Sequence, residues 1–271
     1  QHKDDNRRHQ HEHGSCHCHA GSRQTGRGCL LYHGRQCFQR FAEYVIEGEI
    51  LPNVRVREDQ NSNTGKAMPE FPGYCGPANP ELPIIKVKAI TTRRNPIMQT
   101  CIGPSEEHVS MAGIPTEASI LAMLEKAYPG KVRNVYCASP GGGKYIAVIQ
   151  FKKSVPSDEG RQRQAALLAF SAFAELKHVF LVDEDVDCFD LKDVMWAMTT
   201  RFQADLDLIQ IPGIQCHPLD PSNGPEYSPH IRARGVACKA IFDCTVPFDQ
   251  KERFTRAKFM NINMEKWKDV M

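Results

Sequence analysis

The pattern of hydrophobic and polar positions changes character along this chain. Over residues 1–40 apolar positions are few and follow neither a period of two nor one of 3.6. From residue 41 the texture is that of a folded protein. Residues 41–50 (FAEYVIEGEI) have strand composition with acidic residues interleaved. Residues 52–82 are rich in Pro, Gly and Asn and predict a loop. Residues 83–91 alternate apolar with polar and predict a strand. Ile120, Leu121, Met123 and Leu124 form a helical stripe within 116–128, which Pro129-Gly130 ends. Strands are predicted at 132–137 and 145–151, on either side of SPGGGK. An Ala/Leu-rich helix over 159–176, a buried strand over 178–182, a helix over 190–202 and a short strand over 206–211 complete the series. Asp190 is placed to cap its helix, and Asp193 suits that helix's positive first turn. Beyond 212 the chain is loop-rich, then basic and amphipathic.

The alternation of helix and strand from 116 to 211 argues an α/β layer, preceded by a mainly β part, so the fold class is mixed α/β. Three segments are expected: a head over 1–41, disordered or foreign to the rest; a β-rich part over 42–115; and an α/β domain over 116–271, whose tail from Phe254 suits an interface. There is no internal repeat.

Composition narrows the picture. At 271 residues, 41% hydrophobic and 24% charged, the chain is long enough for a sizeable core without staples. A net charge of +2 gives no electrostatic case for nucleic acid or membrane. No apolar run reaches membrane-spanning length, and the polar N-terminus is no secretory signal. The eleven cysteines are odd in number and scattered, several in apolar runs (Cys101, Cys137, Cys238), which suits free thiols in a reducing cytoplasm. The chain begins with Gln, which leads us to expect an incomplete sequence. Seven of the eleven histidines and four cysteines fall in the head. Cys16-His17-Cys18-His19 suggests a metal-binding module, although alternate-residue ligands are unlike the usual zinc spacing.

Several carboxylates could carry chemistry. Glu106-Glu107-His108 follows a strand and a Gly-Pro turn and precedes a helix; one of two adjacent carboxylates in a dry site can hold a proton for delivery. It could equally be a solvated turn. Glu47 and Glu49 alternate on a strand and share a face, where they could hold a hard cation or simply face water. Asp183-Glu184-Asp185-Val186-Asp187 lacks the Gly and distal Glu of a calcium loop and reads as a strand-end turn. SPGGGK lacks the spacing of a phosphate loop and reads as a hairpin loop. Lys239, alone in an apolar stretch, could meet a phosphate or snorkel from a strand edge. His217 in CHPLDP is a similar single candidate.

Seven strings in one order resemble the UbiD-like decarboxylases, in particular the gallate/protocatechuate (hydroxyarylic acid) decarboxylase branch. They are VIEGEI at 45–50, EFPGYCGP at 70–77, KAITTRRNPIMQT at 88–100, GPSEEH at 103–108, FLVDEDVDCFDLKDVMWAMTTR at 180–201, HPLDPS at 217–222 and KAIFDCTVPF at 239–248. Each is weakly specific; together they span about residues 42–267. The resemblance implies a β-barrel-like flavin-binding part followed by an α/β sheet domain. It implies a non-oxidative carboxy-lyase of aromatic acids using prenylated FMN from a flavin prenyltransferase, with Mn2+ and K+ as candidate cations. It implies a cytoplasmic homo-oligomer. Glu47 matches the family's metal and flavin-phosphate glutamate. Glu107, with Glu106 as its rival, matches the proton donor. Lys239 matches the lysine near the cofactor phosphate.

Family members are nearly twice this length, and the resemblance places the absent part before residue 42. That part would bring the remaining metal ligands, the serine and backbone contacts to the flavin, and an arginine beside the catalytic glutamate. Two expectations follow: a carboxy-lyase in complete form, or a catalytically inactive truncated remnant or assembly subunit. A metal-binding module run by the head is a third.

Overall fold

The computed structural model describes residues 42–258, together with the backbone of four short strands ahead of them. These are β1 (Ser15–His17), β2 (Arg23–Thr25), β3 (Leu30–His33) and β4 (Gln36–Gln39), paired antiparallel as β1–β2 and β3–β4. The Cys16–His19 metal expectation, most of the 1–41 head and the tail beyond 258 lie outside the described residues. The chain divides into two compact units, Gln1–Ala67 with Pro77–Cys101, and Met68–Gly76 with Ile102–Met271.

In the first unit β5 (Tyr44–Val56) pairs antiparallel with β8 (Leu82–Thr92). β5 runs on into the stretch expected to be loop. Pro52, which has no N–H to give the ladder, and Asn53, at φ 61°, fall in the register irregularity between Ile50 and Arg55. A second short ribbon, β6 (Lys66–Pro69) with β7 (Cys75–Pro77), lies in the same expected loop. The β5–β8 register puts Ile46 opposite Ile90, Gly48 opposite Val87 and Ile50 opposite Ile85 on one face. That face is apolar and open: Ile46 is 63% exposed and Ile50 68%. Among the described residues the ribbon does not close into a barrel.

The second unit is a three-layer α/β sandwich. Its sheet runs β12 (Leu208–Gln215), β13 (Val236–Asp243), β11 (His178–Val182), β10 (Ile146–Phe151), β9 (Val132–Cys137). The three middle strands are parallel and both edges antiparallel. Period-two alternation fills both faces. Val135, Ala147, Ile149, Val179, Leu181 and Ile241 pack with helices α1 (Glu106–Ala127) and α2 (Arg161–Ala172) on one side. Val148 and Val182 pack with α3 (Leu191–Arg201) on the other.

Helix α1 starts well before the expected residue 116. Its buried stripe is Val109, Gly113, Thr116, Ile120 and Leu124, whose first half is masked in sequence by small residues and by Pro115 within the helix. Ser105 caps it, its hydroxyl accepting from the His108 N–H at 3.4 Å. Asp190 caps α3 as expected, accepting from the Lys192 N–H at 2.9 Å. β13, in the stretch expected to be loop-rich tail, is a central strand, so Lys239 does not sit on a sheet edge. Among the described residues every cysteine is a free thiol, and no helix is long and apolar enough to cross a membrane.

Candidate active site

Glu106 and Glu107 form the first turn of α1 instead of a preceding loop, and their charge complements the helix's positive end. Both are exposed, so the dry setting expected for a proton donor is not made by this unit alone. Glu106 Oε1 accepts from the Ser139 hydroxyl at 2.5 Å. Beside it Glu117 Oε1 accepts from the Cys137 N–H at 2.8 Å. Glu106, Glu117, Tyr136, Cys137, Ser139 and Phe189 border a cavity of about 250 Å³ at the head of the helix. The His108 ring fits against Gly103, and its Nδ1 is buried without a hydrogen-bond partner.

SPGGGK is the β9–β10 hairpin loop, and its glycines are sockets instead of phosphate ligands. Gly142 sits at φ 63°, and a Cβ there would lie 2.4 Å from the Phe71 ring. Gly143 sits at φ 69°, and its Cβ would lie 2.4 Å from the Val109 carbonyl. The loop therefore receives α1 on one side and Phe71 on the other. Phe71, 7% exposed, stands edge-on to Tyr145 at 5.1 Å and to His217 at 4.9 Å, with the Lys144 ammonium 4.9 Å from its ring centre.

Around Phe71 gathers a cluster of titratable groups. Lys144 pairs with Glu175 at 2.9 Å, and His217 Nε2 lies 3.7 Å from the other Glu175 oxygen. His217 Nδ1 accepts from the Leu219 N–H at 3.1 Å. Burial pushes the His217 imidazole below its usual range, against the opposing pull of Glu175, Glu70 and Asp220. Lys177 donates to Asp220 at 2.6 Å and to Ser222 at 2.7 Å, fastening the 216–223 loop to the start of β11. The Tyr145 hydroxyl is buried without a partner, and burial raises it. Glu70, half-buried next to Phe71, joins this cluster. The sequence pattern does not single Glu70 out; the signal was the aromatic residue beside it, which has a socket to fill.

The remaining expected residues fall elsewhere. Glu47 lies on β5 in the first unit, opposite Ala89, and Glu49 on the same strand pairs with Lys88 at 2.9 Å. Among the described residues no group of three or more His, Cys, Asp or Glu side chains is placed to hold a metal, so these side chains alone do not complete a Mn2+ site. Lys239 is 1% exposed, and its ammonium donates to the Ala174 carbonyl at 2.7 Å, 5.0 Å from the Phe170 ring. That carbonyl uses one of the three N–H groups of the ammonium. The acidic run is a strand-end turn, as its composition suggested. Asp183 and Asp185 both accept from Arg201, and Asp183 also accepts from the Val246 N–H at 2.7 Å.

Comparison with known proteins adds the wider context. Residues 36–106 match the Rift-related domain of 3-octaprenyl-4-hydroxybenzoate carboxy-lyase (UbiD), and residues 109–244 match its C-terminal domain. Gallate decarboxylase of Lactiplantibacillus plantarum is 62% identical over 222 residues, which are 82% of this chain and 45% of that protein. The apo structure of the 3,4-dihydroxybenzoic acid decarboxylase of Enterobacter cloacae superposes with a TM-score of 0.77 at 58% identity, covering 84% of this chain and 47% of that one. The UbiD-class enzyme HmfF of Pelotomaculum thermopropionicum, in complex with FMN, superposes at 0.72 with 35% identity, covering 89% and 50%. An evolved dimeric form of it with prFMN superposes at 0.68 with 32% identity, covering 89% and 48%. The chain thus spans about half the length of the relatives it matches. By sequence and by fold, the chain belongs to the UbiD carboxy-lyase family.

Proposed function

We propose that this chain is part of a carboxy-lyase that removes CO2 non-oxidatively from a hydroxybenzoic acid of the gallate or protocatechuate kind. The observation that carries this reading is the 62% identity to a gallate decarboxylase, spread over 82% of the chain. The cofactor in this reading is prenylated FMN, supplied by a flavin prenyltransferase. The flavin provides the electron sink that an aryl carboxylate lacks. The chain's own contribution is a proton: a glutamate of the Glu106–Glu107 pair, Glu107 first, protonates the ring carbon that CO2 leaves. Glu70 belongs in the same comparison because it stands in the cluster with His217. Glu47 contributes one carboxylate toward Mn2+ or K+, and the other ligands come from the part of the family's chain that is not spanned here. The working form is a cytoplasmic homo-oligomer.

The test is CO2 release from gallate and from protocatechuate, after co-expression with a flavin prenyltransferase. It is run on the chain as given and on a form extended to the family's full length. Release by the extended form is the expected outcome; a flavin-loaded extended form that releases none refutes the substrate assignment.

A second reading is a catalytically inactive remnant or assembly subunit. One observation favours it: the β5–β8 ribbon shows an open isoleucine face. Turnover by the chain as given, without extension, removes this second reading.

A further inference from the structure

A larger cavity, of about 460 Å³, opens at the end of the sheet opposite Glu106. Glu106 meets Ser139 just past β9, beside the start of β10, whereas this cavity lies beyond the carboxyl ends of β10, β11 and β13. Phe151, Asp183 and Val246 follow or close those strands and form its floor. Its far wall is the segment from Lys251 to Lys258. Crevices outside the carboxyl ends of parallel strands are the usual ligand sites of α/β sheets. The volume is in the range of small-molecule sites.

Arg201, buried, is forked onto Asp183 and Asp185. Glu184 turns to Arg133 at 2.8 Å and Lys152 at 3.8 Å. Arg201 against two aspartates leaves one negative charge over, and Glu184 against two cations leaves one positive charge over, so these two groups cancel. Lys153, fully buried, is matched by Glu159 at 3.2 Å and by the Thr245 hydroxyl. Arg256 is matched by Asp193 at 2.7 Å and lies over the Trp196 ring. Two cations remain. Lys251 donates only to the Lys153 carbonyl, at 2.6 Å, and among the described residues neither Lys251 nor Lys258 has an acidic partner. In addition, Arg201 Nε is buried at the wall without an acceptor.

We infer that this cavity is a second small-molecule site, separate from the Glu106–Glu107 end, which takes an organic carboxylate with an apolar body against Lys251 and Lys258. A carboxylate fits better than a phosphate. The wall exposes far more apolar than polar surface, and its two surplus positive charges are single lysine ammoniums. The apolar part of the ligand would lie against Phe151, Val246 and Phe254.

Trp196 gives a direct reporter. The chain has two tryptophans, so Trp267→Phe leaves Trp196 as the single indole, adjoining Arg201 and Arg256 of the wall. The 271-residue chain carrying Trp267→Phe is titrated with cyclohexanecarboxylate, which has no aromatic ring to decarboxylate, and in parallel with neutral cyclohexylmethanol. The expected result is a saturable change in Trp196 emission with the carboxylate, and binding about tenfold weaker for the alcohol. Lys251→Met with Lys258→Met should weaken the carboxylate about tenfold or more while leaving the alcohol unchanged. Glu107→Gln, at the other end of the sheet, should leave both curves as they are. No saturable response overturns the inference. A response that survives the double lysine variant, or that Glu107→Gln abolishes, overturns it as well.

Discussion

The Phe71 ring stands edge-on to the His217 imidazole, with centroids 4.9 Å apart. This contact, with the Tyr145 ring and the Gly142 socket, is what counts Met68–Gly76 with the α/β unit although its sequence neighbours belong to the β unit. Phe71→Ala should cost about 3 kcal/mol, as for other buried phenylalanines. Amide exchange across 68–76 should rise to that of an open loop. Gly142→Ala should do the same from the other side, because its Cβ would lie 2.4 Å from the ring in a backbone conformation that alanine resists. Hydrogen exchange by mass spectrometry reads both; protection of 68–76 unchanged in both variants would refute the anchor.

Acid should destabilise the α/β unit in two stages. His178 and His217 are held below the usual imidazole range, chiefly by burial. As pH falls below about 6.5 the unfolded chain takes up protons that the folded one refuses, so stability drops there. The second stage belongs to the paired carboxylates, among which Asp158 is held lowest, with Glu159, Asp185, Asp193 and Asp220 also below the usual range. Burial alone would raise Asp158, but the Lys131 ammonium at 2.5 Å and the N–H groups of Ser154 and Val155 hold it at about 2. Its contribution is complete above about pH 4 and is lost as pH falls toward 2. Urea melts from pH 8 to pH 3 should show both limbs. His178→Met should shrink the first, and Asp158→Asn should shrink the second.

Arg201 should be among the costliest cations to remove. Its side chain is 2% exposed and satisfies both Asp183 and Asp185. Arg201→Met would leave the mostly buried Asp183 without its cation, while Asp185, 44% exposed, keeps water, so the cost should be about 3 kcal/mol, the low end for a broken buried pair. Adding Asp183→Asn and Asp185→Asn should return part of that loss. Chemical denaturation of the single and triple variants measures the difference; a triple variant no more stable than the single one would contradict the ion-pair account.

Where the sequence carried a strong period, it specified the element. The strand over 83–91, the β9–β10 hairpin and the Asp190-capped helix are in place because apolar alternation or a cap residue decides them locally. The misplacements have physical causes. The start of α1 was hidden because its buried positions include Gly113 and Thr116, and because Pro115 looks like a breaker. β13 is not legible as a central strand because the stretch past 212 is loop-rich and Lys239 suggests at most a strand edge; the lysine is accommodated by the Ala174 carbonyl, a contact distant in sequence. At the candidate site, Glu106 and Glu107 were legible as a pair. Glu70 was not, since its placement depends on Phe71 filling a socket made by Gly142.

The choice among three carboxylates is the sharpest test of the proposed chemistry. Glu106 is tied to Ser139 at 2.5 Å, so Glu106→Gln should disturb the head of α1 and the small cavity as well as any proton transfer. Glu107 is exposed on the same turn, and Glu107→Gln should leave the fold intact. Glu70 stands in the cluster with His217, so Glu70→Gln should shift the His217 titration even if it carries no proton to substrate. In the extended, flavin-loaded enzyme the donor's variant should lose activity about 100-fold or more while retaining flavin content. The expected order places Glu107→Gln lowest. Full activity in Glu107→Gln with loss in Glu106→Gln moves the role one residue back along the helix. Loss confined to Glu70→Gln moves it to the Phe71 hairpin, whose carboxylate acts on the His217 imidazole through its charge. Carbon dioxide release and an NMR titration of the histidine Cε1 protons, run on the same three variants, separate these outcomes.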